Sequence, residues 1–179
     1  MTELQRKRQR MYFFVPYHLS GIQKGIQAGH AKDEFHIMME EEKKTHEFFV
    51  APNHDYLYPD YFSWLYRDKT YIVLDGGDSY GSKTSEERGS MQTYLGLLEQ
   101  NGIAVAEFYE PQLNNTLTAL AFLVDETVWD KEKYPDPVLL PEDIRNTTIE
   151  LALEAQLINE YGTKTAFLRM FLKGKKLAI

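Results

Sequence analysis

The chain has no cysteine among its 179 residues, which excludes disulfides, thiolate metal sites and a cysteine nucleophile. No apolar run approaches the roughly 18 residues of a membrane span, and the early cations are not followed by a signal-type apolar segment. The sequence therefore reads as soluble and cytoplasmic, with no membrane partner. The Gly-x-x-x-x-Gly-Lys-Ser/Thr order of a phosphate-binding loop is also missing. His36, His46 and His54 lack the His-x-x-x-His spacing that puts two imidazoles on one helix face, so neither a metal nor any other cofactor is expected. What is present suits one folded domain: 43% hydrophobic residues, with 12 Tyr and 10 Phe.

Positive charge is concentrated at the two ends. Arg6, Lys7, Arg8 and Arg10 precede residue 11, and Lys164, Arg169, Lys173, Lys175 and Lys176 follow residue 163. Between them 11 Lys and Arg face 26 Asp and Glu, a net charge of −15. Such a body repels phosphate backbones, and only the ends could attract them. Solvated tails are the simpler reading of both ends.

The organising stretch is 19–34. It follows the continuous apolar run 11–15, which has the composition of a strand buried on both faces. Ser20 with Gln23 three residues on forms a capping box, so a helix is expected from Gly21 to about Lys43. At helical spacing Gly21, Gly25 and Gly29 form one line, and Gln23, Gln27, His30 and Glu34 another. Each glycine costs a helix about 1 kcal/mol relative to alanine, so three in a row imply an offset from close packing or a close ligand.

Residues 1–10 lack apolar periodicity and are expected to fray. The long polar and aromatic stretch 45–61 should hide a short element, with 47–50 a short helix or strand and 61–66 extending it. Residues 70–74 form a second strand. It ends in a Gly/Ser-rich segment, 76–85, that is either a plain solvent loop or a lid whose backbone N–H groups, around Gly76, Gly77 and Ser79, meet an anion. Ser90 is expected to cap a second helix with a stripe of Met91, Tyr94, Leu95 and Leu98, closed by Asn101-Gly102. Residues 103–109 and 117–124 are two strands joined by a tight turn as a hairpin. Beyond a connector at 125–141, a third helix opens at Pro141 with Ile144, Leu151, Ala155 and Ile158 toward the core, ended by Gly162; a short amphipathic segment, 166–172, follows. The expected fold is α/β: a four-stranded mixed sheet in β-α-β-α-β-β order with helices on both faces, plus a C-terminal helical extension.

In this order, Gln27-Ala28-Gly29-His30-Ala31 on the first helix and Thr118 in the last strand resemble the archaeal and eukaryotic type of peptidyl-tRNA hydrolase. A divergent bacterial or bacteriophage-type member fits best. The resemblance covers about 11–125 and leaves 1–10 as a basic tail and 126–179 as connector and helices packed on the same domain or on a partner subunit. It leaves a homodimer or higher homo-oligomer open. It implies metal-free cleavage of an ester at an RNA 3′ end, with His30, Glu110 and Thr118 as catalytic residues. Gln23, Lys24, Gln27, Gly76, Gly77, Ser79, Asn114 and Asn115 would bind the ligand. Two positions depart from the family: Gln23 stands where it has lysine, and Glu110 where it has aspartate. Lys24 is one residue away, about 100° round the helix. The alternative is a non-catalytic protein that sequesters a nucleotide-like small molecule in the same cleft.

Overall fold

The computed structural model describes residues 6–48, 57–80, 89–141, 143–145 and 147–178, with the side chains of 46–48 left aside. Its centre is β1 (Gln9–Val15), whose successive side chains are buried on opposite faces of the sheet. Met11, Phe13 and Val15 enter one core and Tyr12 and Phe14 the other, as a doubly covered strand requires. β1 pairs in parallel with β2 (Tyr71–Asp75) and antiparallel with β4 (Thr116–Asp125), while β3 (Val105–Glu110) pairs antiparallel with β4. The strand order is β2-β1-β4-β3. The free edge of β2 is covered by the C-terminal residues: Asp75 N–H donates to the Lys176 carbonyl and Ala178 N–H to that of Val73.

Helices cover both faces, as expected from the β-α-β-α-β-β order. On one face, α1 (Gly21–Phe48) presents Ala28, Ala31, Phe35 and Met39 to Ala106, Ala119, Ala121 and Leu123. Alanine on both sides lets the helix approach the sheet closely. α2 (Tyr58–Ser63) and the π-turn Trp64–Asp68 complete that layer with Tyr61 and Trp64. On the other face, α3 (Ser90–Gln100) packs Met91 and Leu98 against Phe14, Leu120 and Phe122. There it meets α6 (Thr163–Leu172) through the Tyr94 and Phe171 rings, edge to face at 5.5 Å, with Leu168 in the same core.

Several boundaries differ from the sequence reading. The first helix runs on to Phe48, absorbing Glu47; 49–56 lies outside the described residues, and 58–63 is helical. Ser90 is the first helical residue rather than the cap. Its hydroxyl accepts from Asp78 N–H at 2.8 Å and donates to the Gly76 carbonyl at 2.8 Å, while Gln92 caps the Gly89 N–H at 3.0 Å. The third helix, α5 (Ile149–Tyr161), starts eight residues late because Thr148 supplies the cap, accepting from Leu151 N–H at 3.3 Å. That start also rotates the buried stripe: Ala152 and Leu157 are buried, whereas Ile144, Leu151 and Ile158 are exposed.

The basic N-terminal residues, expected to fray, are held from residue 6 onward. Arg8 donates to Glu126 at 3.1 Å and pairs with Asp130, and both Arg8 and Arg10 lie over the Trp129 ring. Glu126, at the start of α4 (Glu126–Trp129), is 4% exposed. Burial alone would raise its carboxyl. Hydrogen bonds from Lys133, Arg8 and Tyr134 overcome this and hold it at about 2. The buried Arg169 guanidinium ties α6 to the same segment, donating to the carbonyls of Thr127 and Tyr134 and, at 2.9 Å, to Asp136.

A carboxyl held below its unfolded value adds stability above that value and loses it as pH falls toward the folded one. Glu126 should therefore contribute on the order of 2 kcal/mol at neutral pH, lost as pH falls from about 4.5 to about 2. Thermal unfolding of wild type and Glu126→Gln across this range should give melting temperatures that differ at pH 7 and converge in acid. A constant difference would rule out the contribution.

Candidate functional site

The site forms where the first turns of α1 cross the β3–β4 hairpin, at the end of the sheet where β1 and β3 finish and β4 begins. α1 begins there because of its cap. The Gln23 amide oxygen accepts from Ser20 N–H at 3.0 Å, and the Ser20 hydroxyl accepts from Gln23 N–H at 3.3 Å. This reciprocal box employs the Gln23 side chain in starting the helix. Lys24 and Gln27, each 7% exposed, face inward, while His30 is exposed.

Beneath Gln27 the hairpin is irregular. Phe108 pairs with Ala119, but Tyr109 pairs with Leu117, so Thr118 is an extra residue in β4. In regular alternation Thr118 would share the α3 face with Leu120 and Phe122. The bulge breaks the alternation, placing Leu117 on that face and turning Thr118 to the α1 side beside Ala119. Its hydroxyl, on a residue 1% exposed, donates to the Gln27 amide oxygen at 2.5 Å. The Gln27 amide nitrogen then donates to the Glu110 carboxylate at 2.8 Å. The reverse amide orientation would set two oxygens against each other at Glu110, so the network fixes the amide. The other Glu110 oxygen accepts from Gln112 N–H at 3.2 Å and caps the single 3-10 turn Pro111–Leu113.

These contacts define the electrostatics. The Gln27 hydrogen bond, then the Gln112 N–H and the nearby His30, hold the Glu110 carboxyl below its ordinary range. Glu110 is therefore an anion throughout the neutral range. His30 lies one turn beyond Gln27, with its ring stacked on Phe108 at 4.6 Å between centroids. The result is an ordered donor chain, Thr118 to Gln27 to Glu110, with an accessible imidazole beside it. Such a cluster can hold a water or a polar ligand and exchange protons with it.

The remaining expected site residues are placed differently. Asn114 and Asn115 are exposed at the hairpin turn in left-handed conformation, at φ 54° and 53°. Asn is one of the few side chains that tolerates that conformation, which accounts for both residues without a ligand. Gly76 and Gly77 serve packing: a Cβ at Gly76 would meet the Met91 sulfur, and Gly77, at φ 73°, lies against the Ser90 hydroxyl. Ser79 is buried and donates to the Leu117 carbonyl, next to the bulge. Residues 81–85 of the expected lid lie outside those described. The glycine line does not meet a closely packed neighbour among the described residues: beyond the helix's own adjacent backbone, none of their atoms lies within 4 Å of a Cβ built at Gly21, Gly25 or Gly29. Phe108, Gln112 and the bulge were missed from sequence. Only the Glu110-Pro111 step, a cap before a proline-led turn, carried a local signal.

Comparison with family models, curated proteins and solved structures gives no match.

Gln27→Glu would set a second carboxylate against Glu110. The variant should lose about 1–3 kcal/mol of stability at pH 7 through like-charge contact and recover it as pH falls through the carboxylate range. Urea unfolding at pH 7 and pH 4 checks this. Equal loss at both pH values would mean that Gln27 and Glu110 do not interact in solution.

Proposed function

We propose that the Gln27–His30–Glu110–Thr118 cluster hydrolyses an ester at an RNA 3′ end, or in a related nucleotide conjugate, in the manner of the archaeal and eukaryotic type of peptidyl-tRNA hydrolase. The observation that carries this reading is the hydrogen-bonded chain from Thr118 through Gln27 to Glu110. Gln27, His30 and Thr118, whose types match the family's pattern, meet at one place with Glu110, which stands where the family has aspartate. In the reaction, water adds to the ester carbonyl and its proton passes to Glu110. The carbon–oxygen bond to the ribose then breaks, and His30, as the imidazolium, gives its proton to the departing oxygen. Gln27 holds Glu110, and Thr118 holds Gln27, so both act as positioning residues.

The cation that would face a phosphate or the developing oxyanion is Lys24, since Gln23 is engaged in the helix cap. A displaced cation typically costs about 100-fold in rate, so turnover should be slow relative to a fully equipped site. A Glu110 held below the ordinary carboxylate range is also a weak base, with the same consequence.

The engaged Gln23 and the acidic body favour a second reading, in which the same cleft sequesters a nucleotide-like small molecule without cleaving it. Purified protein incubated with N-acetylaminoacyl-tRNA should release the acylated amino acid, and His30→Ala should reduce the rate by about 100-fold or more. No release by wild type, with a nucleotide recovered from the denatured protein, would replace the hydrolase by the binding protein.

A further inference from the structure

The two edges of the sheet differ. Along β2 the C-terminal residues close the edge: the Lys176 carbonyl accepts from Asp75 N–H, and Ala178 N–H donates to the Val73 carbonyl. β3 is outermost on the other side and, among the described residues, pairs as a strand with β4 alone. An edge strand directs the N–H and C=O of alternate residues away from its neighbour, where they form a template for a further strand. Two common protections of such an edge are missing, since Val105–Glu110 holds no proline and no lysine. The bulge places its extra residue in β4, so β3 keeps regular alternation. Ala106 and Phe108 join the α1 core, Val105 and Tyr109 the α3 core, and Glu110 returns to the α1 side to meet Gln27.

This edge leads into the candidate site. β3 ends at Glu110, and His30 stacks on Phe108 two residues before that end. α1 runs antiparallel to β3, because Gln27 meets Glu110 and His30 meets Phe108. On the His30 line of α1, Ile26 lies one turn earlier and Ile37 two turns later, and each is 51% exposed. Ile37 therefore stands over the beginning of β3; its neighbour Met38 lines one cleft together with Val105. The edge is thus flanked by exposed apolar side chains along its length and by Glu110 and His30 at its carboxyl end.

We propose that the β3 edge is the subsite for the peptide of a peptidyl-tRNA-like ester, taken up as an added strand; this rests on the hydrolase reading above. The ester carbonyl lies between Glu110 and His30, so the carboxyl end of the peptide is fixed at the end of β3 and its amino end lies toward Val105. The peptide runs in the direction of β3, and the added pairing is parallel. Recognition is by backbone hydrogen bonds, which every peptide sequence supplies, with Ile37 as contact for an apolar side chain. The length of β3 sets a reach of about five peptide residues at about 3.3 Å each. Contacts this far from the reacting carbon are equal in the ground and transition states, so they lower KM and leave kcat unchanged.

The test uses the full chain with N-acetylated oligoalanyl-tRNAs of one, three and five residues, and with five-residue substrates that each carry a single N-methylated amide. KM should fall by at least about ten-fold from one residue to five, with kcat constant within about two-fold. N-methylation removes a donor, so it should raise KM by about five-fold at alternate amides and leave it unchanged at those between. A KM independent of length, as when a second copy of the chain occupies the edge, would overturn the proposal and leave the hydrolase reading intact. An equal effect of N-methylation at every amide would do the same. Release from none of these substrates would overturn the hydrolase reading and the added strand with it. Every comparison is made on the unaltered protein, so none depends on the folding of a variant.

Discussion

The candidate site depends on one local irregularity, the bulge that turns Thr118 from the α3 face of β4 to the α1 face. Without it the hydroxyl would point into an aromatic layer with Phe14 and Phe122, where it would have no partner. With it, a short hydrogen bond reaches the Gln27 amide and sets which end of that amide meets Glu110. The close approach of α1 to the sheet is equally necessary. Alanines 28 and 31 on the helix and 106, 119 and 121 on the strands leave space small enough for a glutamine side chain to bridge both. Larger residues there would push α1 away and break the chain of donors.

Most of the architecture was legible in the sequence because its signals are local. The run at 11–15 announced a strand buried on both faces, the Ser20/Gln23 pair a helix start, and Asn101-Gly102 a helix end, and each is found. The errors arose where two local signals competed. Pro141 looked like a helix start, but Thr148 supplies a side-chain cap and the helix begins there. Ser90 looked like a cap, but its hydroxyl is taken by the loop at 76–78. The basic N-terminal residues looked like a free tail because their partners, Glu126 and Asp130, are more than a hundred residues away.

The site was legible to a different degree. Helical spacing put Gln27 and His30 on one face, and the hairpin put Glu110 near Thr118. Nothing in the alternation of β4 announces that Thr118 is an extra residue. A bulge is defined by the partner strand, and its sequence cost is a single shift of phase. The same limit hid the outer edge of β3, since which strand lies outermost is a property of pairing and not of any strand alone. The two edges of the sheet thus differ in kind: the C-terminal residues close β2, while β3 leads into an ordered donor chain beside an imidazole.

The central claim is that Thr118 and Glu110, which do not bond to each other, act as one unit through Gln27. A double-mutant cycle with Thr118→Val and Glu110→Ala, read as unfolding free energies in urea at pH 7, measures that coupling directly. The expected coupling is about 1 kcal/mol, since either single change already strands the Gln27 amide. Additive losses, agreeing within a few tenths of a kcal/mol as independent sites do, would contradict it.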